Sequence, residues 1–266
     1  FAGRDEHLTE LANLLSKPNV SLLTVLGPAG VGKTRLALQL AHEEQKLGVF
    51  KDGIYFVSLD ALSDPNFLAP TLLSQLGLTQ QGKTEPLEQL KTFFADKNAF
   101  LVLDNFEHLL EGSSLLSQLL GNCPKLQLLV TSRERLNLEE EHSFRLGGLS
   151  YPATISDDAK LSEAVQLFRE RAQQVQPRFD VEKKRPGVIR ICGLGEGLPL
   201  GLGLAASWVR LMSCQDIASE IERGLGLLVS TSKNVPERHR SLKAAFEGSW
   251  KLLSSKEREV LRKLSV

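Results

Sequence analysis

A single stretch, LLTVLGPAGVGKTRLALQL over residues 22–40, narrows the folds open to this chain more than any other. An apolar run (Leu22, Leu23, Val25, Leu26) leads into a glycine-rich turn, after which Leu36, Ala37, Leu40 and Ala41 recur at helical spacing. Gly27, Gly32, Lys33 and Thr34 stand in the G-x-x-x-x-G-K-[ST] spacing of a phosphate-binding loop. Glycines let the backbone turn so that several N–H groups point into one anion-sized hollow, at the positive end of the following helix. Lys33 can place a point charge on the β- and γ-phosphates, and the Thr34 hydroxyl can ligate Mg²⁺. The stretch therefore reads as a nucleotide-binding loop, with Gly27, Pro28, Ala29, Gly30, Val31, Gly32, Lys33, Thr34 and Arg35 as its contacting residues.

The rest of the first half keeps the strand–helix rhythm. Strands are expected over Val20–Leu26, Ile54–Leu59, Ala99–Asp104 and Leu126–Val130, and near Phe144–Leu146. Helices are expected over Asp5–Leu15 with Asp5 as N-cap, after the loop, over Pro65–Leu76, from Pro86 to near Asp96, and over Glu107–Leu120. Such alternation builds a parallel sheet covered on both faces. The expected class is an α/β P-loop NTPase domain over residues 1–150, a five-stranded parallel sheet in the order 5-1-4-3-2. From Tyr151 the strand signal stops. Ala164–Val175, Pro186–Leu194, Pro199–Leu211 and Gln215–Leu225 read as helices of a small domain over 151–232. The polar stretch Ser230–Arg240 looks like a linker, and helical spacing resumes over Ser241–Leu253 and Lys256–Leu264, so residues 233–266 read as linker and the start of a third domain.

Composition excludes several classes. With 32 basic and 32 acidic residues and 42% hydrophobic ones, the 266-residue chain looks like an ordinary soluble globular protein, and its zero net charge gives no support for nucleic-acid binding. Cys123, Cys192 and Cys214 are scattered, form no metal pattern and suit a reducing cytoplasmic setting, the last two as small buried hydrophobes. The longest apolar candidate, around Leu198–Val209, is glycine-rich and stops at Arg210, so no membrane partner is expected. A start at Phe1 and an end at Val266 inside a helical pattern suggest a piece of a longer chain.

Asp104 closes an apolar strand where a P-loop protein needs a carboxylate for Mg²⁺; it could also cap a helix starting near Phe106, and both roles can hold at once. The next position, often a second carboxylate that polarises water in strongly hydrolytic enzymes, is Asn105, which cannot act as a base. Glu107 lies on the other side of the expected turn, so hydrolysis should be slow. Arg133 follows the strand that should lie between the loop strand and the Asp104 strand, which points it toward a γ-phosphate and a catalytic or sensing role beside Lys33 and Asp104. The alternatives are a surface salt bridge, or Arg135 in the same role. His108 has no partner at useful spacing for catalysis or metal binding, and Trp208 and Trp250 read as core anchors.

Taken together and in order, these segments resemble the STAND class of P-loop ATPases, the signal-transduction ATPases with numerous domains, and particularly bacterial members allied to the NB-ARC group. FAGRDEHL resembles the adenine-side motif, GPAGVGKTRLAL the phosphate loop, FLVLDNFEHLL the Walker B segment, LLVTSRERL the sensor-1 strand, EGLPL the GLPL motif and RHRSLKAAFEGSWKLL the opening of the winged helix. The resemblance implies that Phe1, Gly3 and Arg4 line the adenine side and that Pro199 packs near the adenine from the helical domain. It also implies ADP in a closed resting state, ATP in an open and often oligomeric one, and a winged helix that regulates exchange without binding DNA. The expected partners are nucleotide, further copies of the chain, and effector and sensor domains of the same longer protein, in transcription control or defence. Where the family continues with alanine and an acidic residue after GLPL, this chain has Gly201 and Gly203, each costing a helix roughly 0.5–1 kcal/mol relative to alanine. Either that helix is weakened or it packs unusually close to a neighbour.

The expected function is a nucleotide-dependent switch. Two other readings are an AAA-type remodelling machine, which would need fast turnover, and a module holding ADP as a structural element.

Overall fold

The computed structural model describes residues 3–79, 82, 84–152, 162–224, 241, 250 and 255–264. Its internal contacts divide the chain into two compact units. One, the sheet unit, comprises Asp5–Gly27 and Lys33–Leu146; the other, the helical unit, holds the described residues of Phe1–Arg4, Pro28–Gly32 and Gly147–Val266. The phosphate loop is thus shared, its middle five residues belonging to the helical unit.

The sheet unit is built on β1 (Leu22–Leu26), β2 (Ile54–Ser58), β3 (Ala99–Asp104), β4 (Leu126–Ser132) and β5 (Glu141–Arg145). All neighbours are parallel, in the order β2-β3-β4-β1-β5, which is the expected order. Parallel strands need crossovers. Here α2 (Lys33–Leu47) follows β1, α3 (Leu68–Gln75) and α4 (Pro86–Phe94) follow β2, and α5 (Ser114–Asn122) follows β3, with α1 (Asp5–Leu15) ahead of the sheet. Every residue of β1 and β3 is buried, which explains why both read as continuous apolar runs rather than alternating ones. Leu101, Leu103, Leu128 and Val130 pack with Leu68, Leu72, Leu90 and Phe94 in one core.

The structure corrects several local expectations. Asp5 is the first residue of α1 rather than the residue ahead of it, and Arg4 before it has the non-helical φ of 75°. No continuous helix runs over Glu107–Leu120. Phe106 and Leu109 are both fully buried and close a turn in which the Leu109 N–H donates to the Phe106 carbonyl at 2.8 Å. A short 3-10 turn over Leu110–Gly112 then precedes α5, so no helix follows Asp104 directly for it to cap. The Pro65–Leu76 segment likewise opens as a 3-10 turn, Pro65–Phe67, ahead of α3.

The helical unit contains α6 (Glu163–Val175), α7 (Arg185–Leu194), α8 (Pro199–Ser207), α9 (Cys214–Arg223) and α10 (Ser255–Leu264). Phe168, Ile191, Cys192, Leu202, Ala205 and Ile217 form its core, with Trp208 packed against it. Ser213 caps α9, its hydroxyl accepting the Asp216 N–H at 3.2 Å. All three cysteines are free and buried, and burial pushes the Cys192 thiol up to about 12. The expected linker Ser230–Arg240 lies outside the described residues, as does most of the expected third domain. Among the described residues no helix is long and apolar enough to cross a membrane.

Candidate functional site

The sheet ends in a row of polar groups along the C-terminal edges of β3, β4 and β1. Thr34, on the first turn of α2, donates its hydroxyl to Asp104 Oδ1 at 2.7 Å, and Thr131 on β4 donates to the same oxygen at 2.6 Å. Asp104 is 2% exposed, so its charge depends on such donors to offset lost hydration. Thr131 is a residue the sequence reading passed over. Its only signal in the chain is a hydroxyl near the end of an apolar strand, one residue before Ser132 closes β4. A hydroxyl and a carboxylate are hard oxygen donors of the kind that suits Mg²⁺, and the structure brings Thr34 and Asp104 together. Among the described residues no group of three or more histidines, cysteines and carboxylates gathers to hold a metal without a nucleotide.

Asn105 sits at φ 67°, a left-handed conformation that asparagine tolerates better than most residues. Its N–H donates to Thr131 Oγ1 at 3.0 Å, and its Nδ2 lies 3.4 Å from His108 Nδ1. His108 Nε2 in turn lies 3.0 Å from the Leu59 carbonyl just after β2. His108 therefore ties down the turn after Asp104. The position where a general base would be needed is thus occupied by an amide that the backbone geometry itself favours.

Arg133 is one residue past β4. Leu26 pairs with Ser132 in the sheet register, and the Gly27 N–H donates to the Ser132 carbonyl at 3.3 Å, so Arg133 stands level with the first residue of the phosphate loop. Its Nε is 2.7 Å from Glu107 Oε1, and both side chains are largely buried, so this is no surface salt bridge. Glu107 was expected on the other side of the turn after Asp104, with no partner assigned; the turn that replaces the expected helix sets it against Arg133. Arg135 pairs instead with Glu141 at 3.5 Å and is half exposed.

The loop itself divides. In the sheet unit Lys33 Nζ donates to the Gly27 carbonyl at 2.7 Å. In the helical unit Gly30 has φ 77° and Gly32 φ 101°, conformations that L side chains resist. A Cβ on Gly30 would fall 2.7 Å from Leu200, whose N–H donates to the Gly30 carbonyl at 3.2 Å; Pro199 Cγ would meet a Cβ on Gly32 at 4.0 Å. Pro199 and Leu200 begin α8, so the GLPL segment lies beside the loop glycines within that unit. Val31 is buried, Ala29 half-buried, and Pro28 and Arg35 are exposed.

Arg4 is 4% exposed, and its guanidinium donates to the carbonyls of Gly147 (2.6 Å), Val31 (3.4 Å) and Gly148 (3.5 Å). Burial lowers its pKa from the ordinary value, and the Glu163 charge opposes that. The Arg4 N–H donates to Glu163 Oε1 at 2.6 Å, and a Cβ on the preceding Gly3, itself at φ 70°, would collide with the Glu163 side chain. Burial pushes the Glu163 carboxyl up, but the N–H groups of Arg4 and Ser150, with the Arg4 charge and the Ser150 hydroxyl, bring it below its usual range. Phe1, the remaining expected residue, lies outside the described residues.

Residues 19–145, a little under half of the chain, match the family model described as an AAA domain, and the five-stranded parallel sheet within them has the strand order of a P-loop NTPase fold. The chain is 35% identical over 246 residues to a putative HTH-type transcriptional regulator of Mycobacterium tuberculosis, covering 92% of this chain and 26% of that protein. It is 27% identical over 219 residues to the disease resistance protein RML1B of Arabidopsis thaliana, covering 79% of this chain and 21% of that protein. The chain thus spans about a quarter or less of the length of each of these two relatives. Among solved structures it resembles the ORC2 protein of Aeropyrum pernix, at TM-score 0.54 and 15% identity, over 82% of this chain and 68% of that one. A STAND protein with a tetratricopeptide repeat sensor from Pyrococcus horikoshii aligns over all of this chain and 34% of its own, at TM-score 0.49 and 19% identity.

Proposed function

We propose that the chain is the nucleotide-controlled switch of a larger cytoplasmic regulator, binding ATP or ADP with Mg²⁺ and hydrolysing ATP slowly. The observation that carries this reading is the turn after β3, where Asp104 joins the loop threonine while the next residue, Asn105 at φ 67°, offers no base. Lys33 and the loop N–H groups would hold the β- and γ-phosphates, and Thr34 and Asp104 the Mg²⁺, which neutralises phosphate charge when bound. Arg133 would read the γ-phosphate. Gly3, Arg4 and Pro199, with Phe1, would line the adenine side. Exchange of ADP for ATP would govern opening between the P-loop domain and the helical domain (151–232), and through it self-association. The regulatory names of the relatives support this setting.

The test is to denature the purified protein and identify released nucleotide by chromatography. ADP in near-stoichiometric amount supports a closed switch. Absence of nucleotide, together with no binding of added ATP or ADP with Mg²⁺, overturns the reading. Lys33→Ala should remove binding through loss of the charge-assisted phosphate contact. Turnover well above about one per second at saturating ATP would favour a remodelling machine instead.

A further inference from the structure

We propose that Glu107 is a specificity-determining residue that biases the site toward the diphosphate, by competing with a nucleotide's γ-phosphate for Arg133. The inference rests on the proposed nucleotide site and goes beyond it, because it assigns the choice between nucleotides to a carboxylate outside every motif of the phosphate loop.

Three observations carry it. Glu107 is 6% exposed, and one of its oxygens lies 2.7 Å from Arg133 Nε. Its second oxygen, Oε2, is buried with no hydrogen-bond partner among the described residues, and the Oε1–Nε contact is an ion pair rather than an aligned hydrogen bond, so charge attraction to the guanidinium is what holds the carboxylate here. Arg133 stands level with Gly27 at the loop's first residue, where a third phosphate would bring additional negative charge.

Two consequences follow, with the same sign. A carboxylate that shares the guanidinium lowers what that cation can give to a phosphate. A fixed negative charge beside the γ-position also repels the triphosphate more than the diphosphate, and it does so in a site of low effective dielectric. Both effects fall on ATP and leave ADP nearly untouched. Packing alone does not account for a carboxylate here, since an apolar side chain of similar size would fill the same space without leaving Oε2 unpaired.

The experiment compares the purified chain with Glu107→Gln, Arg133→Gln and the double variant, measuring Kd for ATP and for ADP with Mg²⁺ by calorimetry. Glu107→Gln should raise the preference for ATP over ADP by about tenfold, the scale of one charge-assisted contact. The rise should vanish when Arg133→Gln is already present. An unchanged or reduced ATP preference in Glu107→Gln overturns the inference, as does a rise that persists in the double variant, which would mean that Glu107 does not act through Arg133. If Glu107→Gln does not fold, as a thermal melt would show, Glu107→Asp carries the same test: the shorter side chain loosens the pair and should give a smaller rise of the same sign. Should the parent chain bind neither nucleotide, the nucleotide site itself is refuted, a result distinct from binding without a shift in preference.

Discussion

Two buried charges grip the two parts of the phosphate loop, and they do so by opposite chemistry. In the sheet unit the anion Asp104 receives hydroxyl protons from Thr34 and Thr131. In the helical unit the cation Arg4 gives its protons to the carbonyls of Val31, Gly147 and Gly148. The first grip uses side chains whose identity is the chemistry; a threonine at the loop and a carboxylate at a strand end can also coordinate a metal. The second uses backbone carbonyls, which any residue could supply. One arrangement is made of groups able to take a metal ion as a partner, whereas the other satisfies backbone carbonyls of the helical unit with a single guanidinium.

The comparison breaks most directly under two substitutions made side by side. Asp104→Ala should lower nucleotide affinity in Mg²⁺ on the order of 100-fold, the loss of about 3 kcal/mol of charge-assisted contact, measured by calorimetry. Arg4→Met keeps the aliphatic stem but strands the carbonyls of Gly147 and Val31. It should cost about 2–3 kcal/mol of stability by urea denaturation, because buried groups are left without donors. If Arg4→Met instead leaves stability alone and reduces nucleotide affinity as strongly as Asp104→Ala, the guanidinium is a ligand contact and the contrast fails.

That contrast also explains what could be read from the chain alone. β3 was legible to the residue, since a buried parallel strand advertises itself as an unbroken apolar run, here stopping at Asp104. The sheet order followed from the loop's place on β1. Helical periodicity misled over Glu107–Leu120: Leu109 is buried by a turn rather than by a helix face, and spacing cannot distinguish the two. The same turn brings Glu107 to Arg133 and His108 to the Leu59 carbonyl, contacts between side chains and segments that no local pattern announces. The Arg4 carbonyl set is invisible for a stronger reason, since its acceptors carry no side-chain signature at all.

A smaller and more selective test concerns Glu163, which holds the Arg4 backbone and Ser150 together. Its folded pKa lies below the ordinary carboxylate value, so its ionised form stabilises the fold at pH above that value, and this contribution is lost as pH falls through the folded pKa. Glu163→Gln should therefore melt at lower temperature than the parent at pH 7, with the gap closing on acidification below the usual carboxylate range. A gap independent of pH would mean that shape, rather than charge, holds this corner of the helical unit.

The smallest expected effect runs the other way and concerns α8, the helix that begins at Pro199 beside the loop glycines. Two explanations for Gly203 were open, a weakened helix or a close approach to a neighbour. A Cβ built at Gly203 meets nothing within 4 Å, whereas one at Gly187 on α7 would collide with Cys214 at 2.6 Å. Close approach therefore explains Gly187 and fails for Gly203, where glycine only adds backbone entropy to the unfolded chain. Gly203→Ala should stabilise the helical unit by about 0.5–1 kcal/mol in urea denaturation, the ordinary helix-interior difference between the two residues. If nucleotide exchange slows in the same variant, the softness of α8 serves the switch; if exchange is unchanged, the glycine carries no role in it. Stabilisation without any change in the ATP and ADP Kd values would also place Gly203 on the structural side of the contrast, with Arg4 and away from Asp104.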